Sequence, residues 1–493
     1  MTEVLQKARD YEAQRRPEVM PQLPAFHLTA GVGWMNDPNG FAPYKGEYHL
    51  FFQYYPYDTQ WGPMHWGHAK TKDFIRWEYL PAALAPDTRY DRNGCFSGGG
   101  VELPDGRHLL LYTGVEITPE GEFQTQCVAL GDGVNYEKYE HNPVITAQLI
   151  PQGNNTRDFR DPKIWIEDGK IYSVTVNRGR DGSADVLLHE SRDGLHWQLA
   201  STLYSCGHRY GNMWECPDFF YLDGKAVLLH SIMEMRAKTL EYHNGNCKMY
   251  HIGYLDANKH FHEETAHAIE NGIDFYAPQT LLAQDGRRIM LGWMQAWEGA
   301  KQKIPGMDFM GMMTVPRELT IREDRICQWP VRELEAYRTN PVTYQKVTIE
   351  KETALPGICG RVMDLTLEVA PGPAGYESFT MEINKGEGFH TAITLLPKKG
   401  TICLDRSLSG FPHDVNHIRQ FPVTFREGKL RLRLLLDRYS AELFVENGHQ
   451  QAASMVLYPP ENADGITFRA DAPVELSVEK YDLQIPDNWR AEK

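Results

Sequence analysis

The chain has 493 residues, 42% of them hydrophobic and 24% charged, which is long for a single core and favours two domains. A formal net charge of −15 opposes nucleic acid, whose phosphates it would repel, and suits a neutral or cationic small-molecule substrate. Generous glycine (42), tyrosine (25) and tryptophan (11) fit a turn-rich β protein with aromatic surfaces.

Met1–Arg16 reads as an amphipathic helix presenting Val4, Leu5, Ala8 and Tyr11, broken by Pro17, and residues 1–25 form a lead-in. No apolar run follows Met1 and none reaches bilayer length, so neither a leader nor a membrane partner is expected. Eight cysteines (95, 127, 206, 216, 247, 327, 359 and 403) form no CxxC pair, which predicts reduced thiols and a cytoplasmic location.

From residue 26 one pattern recurs: a short apolar strand, a tight turn on glycine, then a strongly apolar strand. The turns are Tyr44-Lys45-Gly46-Glu47, Asp105-Gly106-Arg107, Asp168-Gly169-Lys170, Asp223-Gly224-Lys225 and Asp285-Gly286-Arg287. Asp-Gly tolerates the positive φ values of a type I′ turn, so each predicts a hairpin. Five hairpins at a period of roughly 60 residues predict a five-bladed β-propeller over 26–335, a β-sandwich or irregular all-β fold being the alternative. Thr71–Trp77 echoes Ser191–Trp197 in a later turn of its own unit.

Arg332–Gln345 reads as a connecting helix or linker, with the linker proper at 336–345. Period-two alternation follows, in Leu365–Val369, Phe379–Ile383, Leu430–Leu436 and Glu442–Val445, the last before a turn at Glu446-Asn447-Gly448. It predicts a β-sandwich over 346–493.

The repeat also points to the chemistry. Eight or nine residues before each turn glycine stand Asp37, Ser97, Asp161, Glu215 and Ala277-Pro278, at the start of each unit's first strand. In a propeller these positions gather at one end of the central channel, and three of the five are carboxylates. Asp-Pro-Asn-Gly taken alone is a surface turn. A pair of carboxylates gathered at one place is the equipment of glycoside hydrolysis, one attacking the anomeric carbon and the other protonating the leaving oxygen. Glu215, between Trp214 and Cys216, suits the proton donor. Asp161, beside Arg160, is placed to hold sugar hydroxyls.

Seven motifs in order carry a resemblance: Trp34–Gly40, Phe96-Ser97-Gly98, Arg160-Asp161-Pro162, Glu215-Cys216-Pro217, Tyr276-Ala277-Pro278-Gln279, Gly292-Trp293 and Pro316-Arg317-Glu318-Leu319. The chain resembles the β-fructofuranosidases of glycoside hydrolase family 32, which include invertases, sucrose-6-phosphate hydrolases, inulinases and levanases. The likeness runs from about Phe26 to Arg338, and Leu436–Tyr439 through Phe444 resembles the family's C-terminal sandwich. It implies a propeller bearing a β-sandwich and a retaining reaction on terminal β-fructofuranosides, with sucrose, sucrose 6-phosphate or short fructo-oligosaccharides as substrates. It assigns Asp37 as nucleophile, Glu215 as acid/base and Asp161 as transition-state stabiliser. Trp34, Asn36, Gln53, Trp61, Phe96, Ser97, Arg160 and Trp293 are implied at the fructose subsite. Gly98-Gly99-Gly100 departs from the family's more usual Gly-Ser-Ala.

The alternatives are a fructosyltransferase or exo-fructan hydrolase and, in another class, a non-catalytic fructan-binding propeller. No cofactor and no metal is expected: His65 and His68, three apart on a strand, point to opposite faces. Met307, Met310, Met312 and Met313 read as core filling or a mobile rim, and Cys216 as a packed thiol beside the acid. Asn154-Asn155-Thr156 matches a glycosylation sequon that a cytoplasmic protein does not use. The oligomeric state is not legible.

Overall fold

A computed structural model describes residues 1–301, 303–410, 416–446 and 451–486. The chain is all-β apart from the α-helix Glu3–Val19 and four short 3-10 turns among the described residues. That helix is capped by Thr2, whose hydroxyl accepts the Leu5 N–H at 3.3 Å. Pro17 does not break it. The last turn is kept by burial of Val19 and by the Met20 N–H, which bonds the Arg16 carbonyl. The docked face is Leu5, Ala8, Glu12 and Val19, while Val4 stays exposed. Buried Glu12 accepts the Ala82 N–H at 2.8 Å and pairs with Arg16 at 3.2 Å, clamping the helix on the strand Trp77–Leu84.

Residues 33–330 form five antiparallel sheets, each built outward from its first strand in chain order. The first strands are Gly33–Tyr44, Gly94–Glu102, Phe159–Glu167, Met213–Leu222 and Tyr276–Leu282. Each packs against the first strand of the next sheet, and the fifth against the first, so the five close a cycle. A two-residue strand, Phe309–Met310, joins the first sheet in parallel beside Gly33 and Trp34. Gln279 stitches three sheets, giving its amide N–H to the Gly98 carbonyl (3.0 Å) and accepting the Phe41 N–H (3.3 Å).

All five expected hairpins form, by two different turns. At Lys45-Gly46, Asp168-Gly169 and Asp223-Gly224 both residues have positive φ, as type I′ requires. At Asp105-Gly106 and Asp285-Gly286 only glycine does, and the loops are longer. There the aspartate carboxylate accepts the N–H of Arg107 (3.0 Å) or Arg287 (3.2 Å), which favours a type I turn followed by a left-handed glycine. The echoed segments are equivalent as well. Asp73 caps Ile75 and Arg76 at 3.1 and 2.8 Å, and Asp193 caps Leu195 and His196 at 2.9 Å each, both between third and fourth strands.

Residues 338–483 form a six-stranded and a five-stranded antiparallel sheet enclosing a core of Leu365, Leu367, Phe379, Ile393, Leu434, Leu443 and Phe468, among others. The expected linker is a correction. Only Arg332–Tyr337 is a short 3-10 helix, and Arg338–Ile349 is an edge strand paired with Val474–Leu483. Two bulges and its polar, half-exposed side chains hide the alternation that would have announced it. The expected turn at Asn447-Gly448 lies outside the described residues.

A buried ionic network joins the two regions. His27 stands 2.8 Å from Asp437 through Nδ1 and 2.8 Å from Glu442 through Nε2. Asp437 also accepts the N–H groups of Ala25, Phe26 and His27, at 2.7, 3.0 and 3.2 Å. Glu442 is paired with Arg317, which also bonds Gln328 (2.9 Å) and Ser454 (2.6 Å). Burial opposes charging His27, but the two carboxylates prevail and push its pKa up to about 9.

Candidate active site

Every first strand carries a β-bulge in the same place. Pairing skips Asn36-Asp37, Ser97, Asp161-Pro162, Cys216-Pro217 and Ala277-Pro278 in turn. Asp161, Cys216 and Ala277 have positive φ (61°, 48° and 49°), an uncommon conformation that re-aims their side chains. The bulges sort the site into two tiers and correct the register expected from turn spacing. Asp37, Ser97 and Asp161 lie within their bulges. Glu215 does not: it is the last paired residue before its bulge, opposite Ser231, and Cys216 occupies the position of Asp161. Glu215 is therefore equivalent to Arg160, Phe96 and Tyr276, each the last paired residue of its own strand.

The inner tier is centred on Asp37. Its Oδ2 accepts the Ser97 hydroxyl at 2.7 Å and the Cys216 thiol at 3.3 Å, while Oδ1 has no partner among the described residues. Asp161 Oδ2 accepts the Cys216 N–H at 3.0 Å and lies 3.8 Å from its sulfur. Burial pushes the pKa of Asp37 up, and the charge of Glu215 adds to it; the Ser97 and Cys216 hydrogen bonds hold it down. Asp161 is pushed up to about 7 by burial, against the nearby Arg160 cation, with Glu215 and Asp37 adding to the rise. Burial and the three surrounding carboxylates push the Cys216 thiol well up, so it remains an S–H donor.

In the outer tier Arg160 donates to Glu215 Oε1 (Nη2 at 3.1 Å, Nε at 3.3 Å), and the Tyr276 hydroxyl donates to Oε2 at 2.7 Å. Burial and the facing carboxylate push the Tyr276 phenol well up, which keeps its proton in place. Arg160 also bonds Asp158 at 3.1 Å and Gln124 at 3.3 Å, so its fork is fixed from both sides.

The remaining expected residues surround these tiers. Trp34, fully buried, gives its indole N–H to Asn36 Oδ1 at 2.7 Å and packs on Trp293 (5.9 Å) and Trp297 (6.0 Å). Trp293 is also fully buried and packs on Trp297 at 5.0 Å, so the three indoles form one cluster. Gln53, opposite the Asn36-Asp37 bulge, bonds the Cys95 carbonyl at 3.0 Å. Trp61 is 48% exposed and meets Phe96 edge-on at 6.1 Å. Met310, Met312 and Met313 are core residues.

Sequence reasoning missed the roles of Tyr276 and Trp297. Tyr276 stands one residue before its bulge, as Glu215 does, so the signal was present in the register. Trp297 lies in a loop that no pattern flagged. Among the described residues no group of three or more His, Cys, Asp or Glu side chains could hold a metal ion, and all eight cysteines are free thiols. No helix among the described residues is long and apolar enough to cross a membrane. Chemically, the site offers a carboxylate with one unpaired oxygen, and near it a second carboxyl held between a cation and a phenol.

Comparison with known proteins points the same way. Residues 27–330 match the glycosyl hydrolases family 32 N-terminal domain, and residues 333–484 match the family 32 C-terminal domain. A sucrose-6-phosphate hydrolase of Zymomonas mobilis is 36% identical over 447 residues, covering 87% of this chain and 85% of the relative. A raffinose invertase of Escherichia coli is 34% identical, covering 91% and 92%. The solved GH32 beta-fructofuranosidase of Bombyx mori superposes with a TM-score of 0.83 at 34% identity, covering 97% of this chain and 98% of that one. The chain belongs to glycoside hydrolase family 32 and is a hydrolase of the fructofuranosidase class.

Proposed function

We propose that the protein is a retaining β-fructofuranosidase that releases fructose from the non-reducing end of sucrose or a close relative such as sucrose 6-phosphate. The observation that carries this reading is the pair of differently hydrogen-bonded carboxyl groups, Asp37 with one unpaired oxygen and Glu215 between Arg160 and Tyr276. Asp37 Oδ1 attacks the anomeric carbon while Glu215 gives its proton to the leaving oxygen. Glu215 then takes a proton from the water that cleaves the fructosyl–enzyme ester. Asp161, next to Arg160, binds fructose hydroxyls as charge develops on the ring. Trp34, Asn36, Gln53, Trp61, Phe96, Ser97, Arg160 and Trp293 form the fructose subsite.

The closed cycle of first strands supports a five-bladed propeller over residues 26–335, with the bulges facing its axis at one end. A β-sandwich follows, its first strand beginning at Arg338. Free thiols at every cysteine are compatible with a reducing cytoplasm.

The test is fructose release from sucrose by the purified protein, with the anomer of the first product followed polarimetrically. Asp37→Ala and Glu215→Ala each lower kcat by several orders of magnitude with the fold intact. Glu215→Gln costs about 10²–10⁴-fold on sucrose yet spares the first step for a fructoside with a good leaving group. Turnover of Asp37→Ala above about a tenth of wild type refutes the assignment of the nucleophile.

A further inference from the structure

Arg160 meets Glu215 with one edge of its guanidinium, Nε and Nη2. The remaining nitrogen, Nη1, is held away from the reacting pair, by Asp158 at 3.1 Å and Gln124 at 3.3 Å. Gln124 comes from another sheet, on the strand Gly121–Gly131, and is only 4% exposed. Its Oε1 also accepts the Phe159 N–H at 3.1 Å, and its Nε2 donates to Glu122 Oε1 at 2.7 Å.

These contacts decide which way the carboxamide faces. Two N–H donors converge on one end and require an oxygen there, while the Glu122 carboxylate at the other end requires the NH2 group. A flipped amide would turn its NH2 group on the Arg160 cation and its oxygen on a carboxylate. Glu122 thereby keeps Gln124 an acceptor toward Arg160. Asp158, the other partner of Nη1, is shared with Arg178 at 2.6 Å, so Gln124 supplies a second fixed point for the planar fork.

The same strand also serves the inner tier. Glu122, Gln124 and Gln126 alternate onto one face of it. Gln126 donates to the Phe159 carbonyl at 2.9 Å and accepts the Thr113 hydroxyl at 2.8 Å. Thr113 Oγ1 in turn accepts the Asp161 N–H at 2.9 Å. Phe159 is thus gripped at both its N–H and its carbonyl, so the backbone entering Arg160 is fixed as well as its side chain.

We propose that Gln124, its amide oriented by Glu122, is a positioning residue for the acid/base: it fixes Arg160 so that the Nε–Nη2 edge keeps the Glu215 carboxyl aimed at the leaving oxygen. The proposal rests on the retaining reading above, in which Glu215 is the acid/base, and adds two residues that act only through others.

The experiment measures kcat/KM on sucrose and on a nitrophenyl β-fructofuranoside, whose good leaving group needs little protonation. The proteins are wild type, Gln124→Leu, Gln124→Glu and the exchanged pair Glu122→Gln with Gln124→Glu, each checked by near-ultraviolet circular dichroism. Gln124→Leu lowers kcat/KM on sucrose by about ten- to a hundredfold. On the nitrophenyl fructoside it stays within about threefold of wild type. Gln124→Glu alone sets two carboxylates against each other and loses a similar factor on sucrose. The exchanged pair restores a donor facing an acceptor and the original net charge, and recovers to within about threefold of wild type. If Gln124→Leu fails to fold, Glu122→Leu, at a half-buried position, reads the same ratio between substrates. Equal losses on both substrates place the effect on fructose binding and overturn the proposal. An exchanged pair no better than Gln124→Glu overturns the orienting role of Glu122. Wild type inactive on both substrates refutes the hydrolase reading instead.

Discussion

Removing the Ser97 hydroxyl isolates what keeps Asp37 charged. Burial works against that charge, and two side-chain donors oppose burial at the same oxygen, Ser97 at 2.7 Å and Cys216 at 3.3 Å. A hydrogen bond to a charged acceptor is worth about 1.5–3 kcal/mol, and one pKa unit corresponds to 1.36 kcal/mol. Ser97→Ala therefore raises the pKa of Asp37 further. In the proposed mechanism attack needs the carboxylate, so the acidic limb of kcat/KM on sucrose moves up with it. Well below that limb the variant loses about ten- to a hundredfold. Well above it, the loss shrinks to whatever Ser97 contributes to holding the sugar. Cys216→Ala, which removes a weaker sulfur donor, moves the limb in the same direction by less. The assay is kcat/KM from fructose release between about pH 4 and 8, with near-ultraviolet circular dichroism to confirm the fold. An acidic limb that stays in place or moves down in Ser97→Ala refutes the reasoning, because burial would then be offset elsewhere.

Asp161 has a pKa of about 7 against an ordinary 3.8, so the folded state holds a proton that the unfolded state releases, and stability falls as pH rises from about 4 through 7. Asp161→Asn abolishes activity yet raises the urea midpoint at pH 8 by the equivalent of up to about 4 kcal/mol, a gain that vanishes near pH 3.5; a variant no more stable than wild type at pH 8 contradicts this. His27 has the opposite sign: its pKa of about 9 against 6.5 gives stability fully present below pH 6.5 and lost as pH rises through 9. Denaturant titrations of His27→Gln should show a deficit at pH 6 exceeding that at pH 10 by about 3 kcal/mol, and a deficit independent of pH refutes a charged His27. At Gly99 a Cβ would stand 2.8 Å from the Ile164 nitrogen of the next sheet, so Gly99→Ser destabilises by about 1–3 kcal/mol in thermal unfolding; an unchanged midpoint shows that the sheets separate freely there.

The elements legible in the sequence are those whose cause is local. Asp-Gly and Lys-Gly accept positive φ wherever they occur, so the five hairpins could be placed from the chain alone, although the two longer turns could not be told from the two-residue ones. The strand Arg338–Ile349 was read as linker because an exposed, twice-bulged edge need not alternate. Burial of Glu12 and the clamp of His27 between Asp437 and Glu442 depend on partners 70 to 415 residues away, beyond the reach of any periodicity. The candidate site falls between these cases. Counting back from the turn glycine found Asp37, Asp161 and Glu215, but a bulge shifts the strand by one residue without altering the turn that follows it. That single residue decides the chemistry. Inside the bulge, Asp161 and Cys216 turn toward Asp37, and one position earlier Arg160, Glu215 and Tyr276 meet one another. Five copies of one irregularity thus give an inner tier that holds Asp37 and an outer tier that holds Glu215, on first strands that otherwise repeat the same pairing.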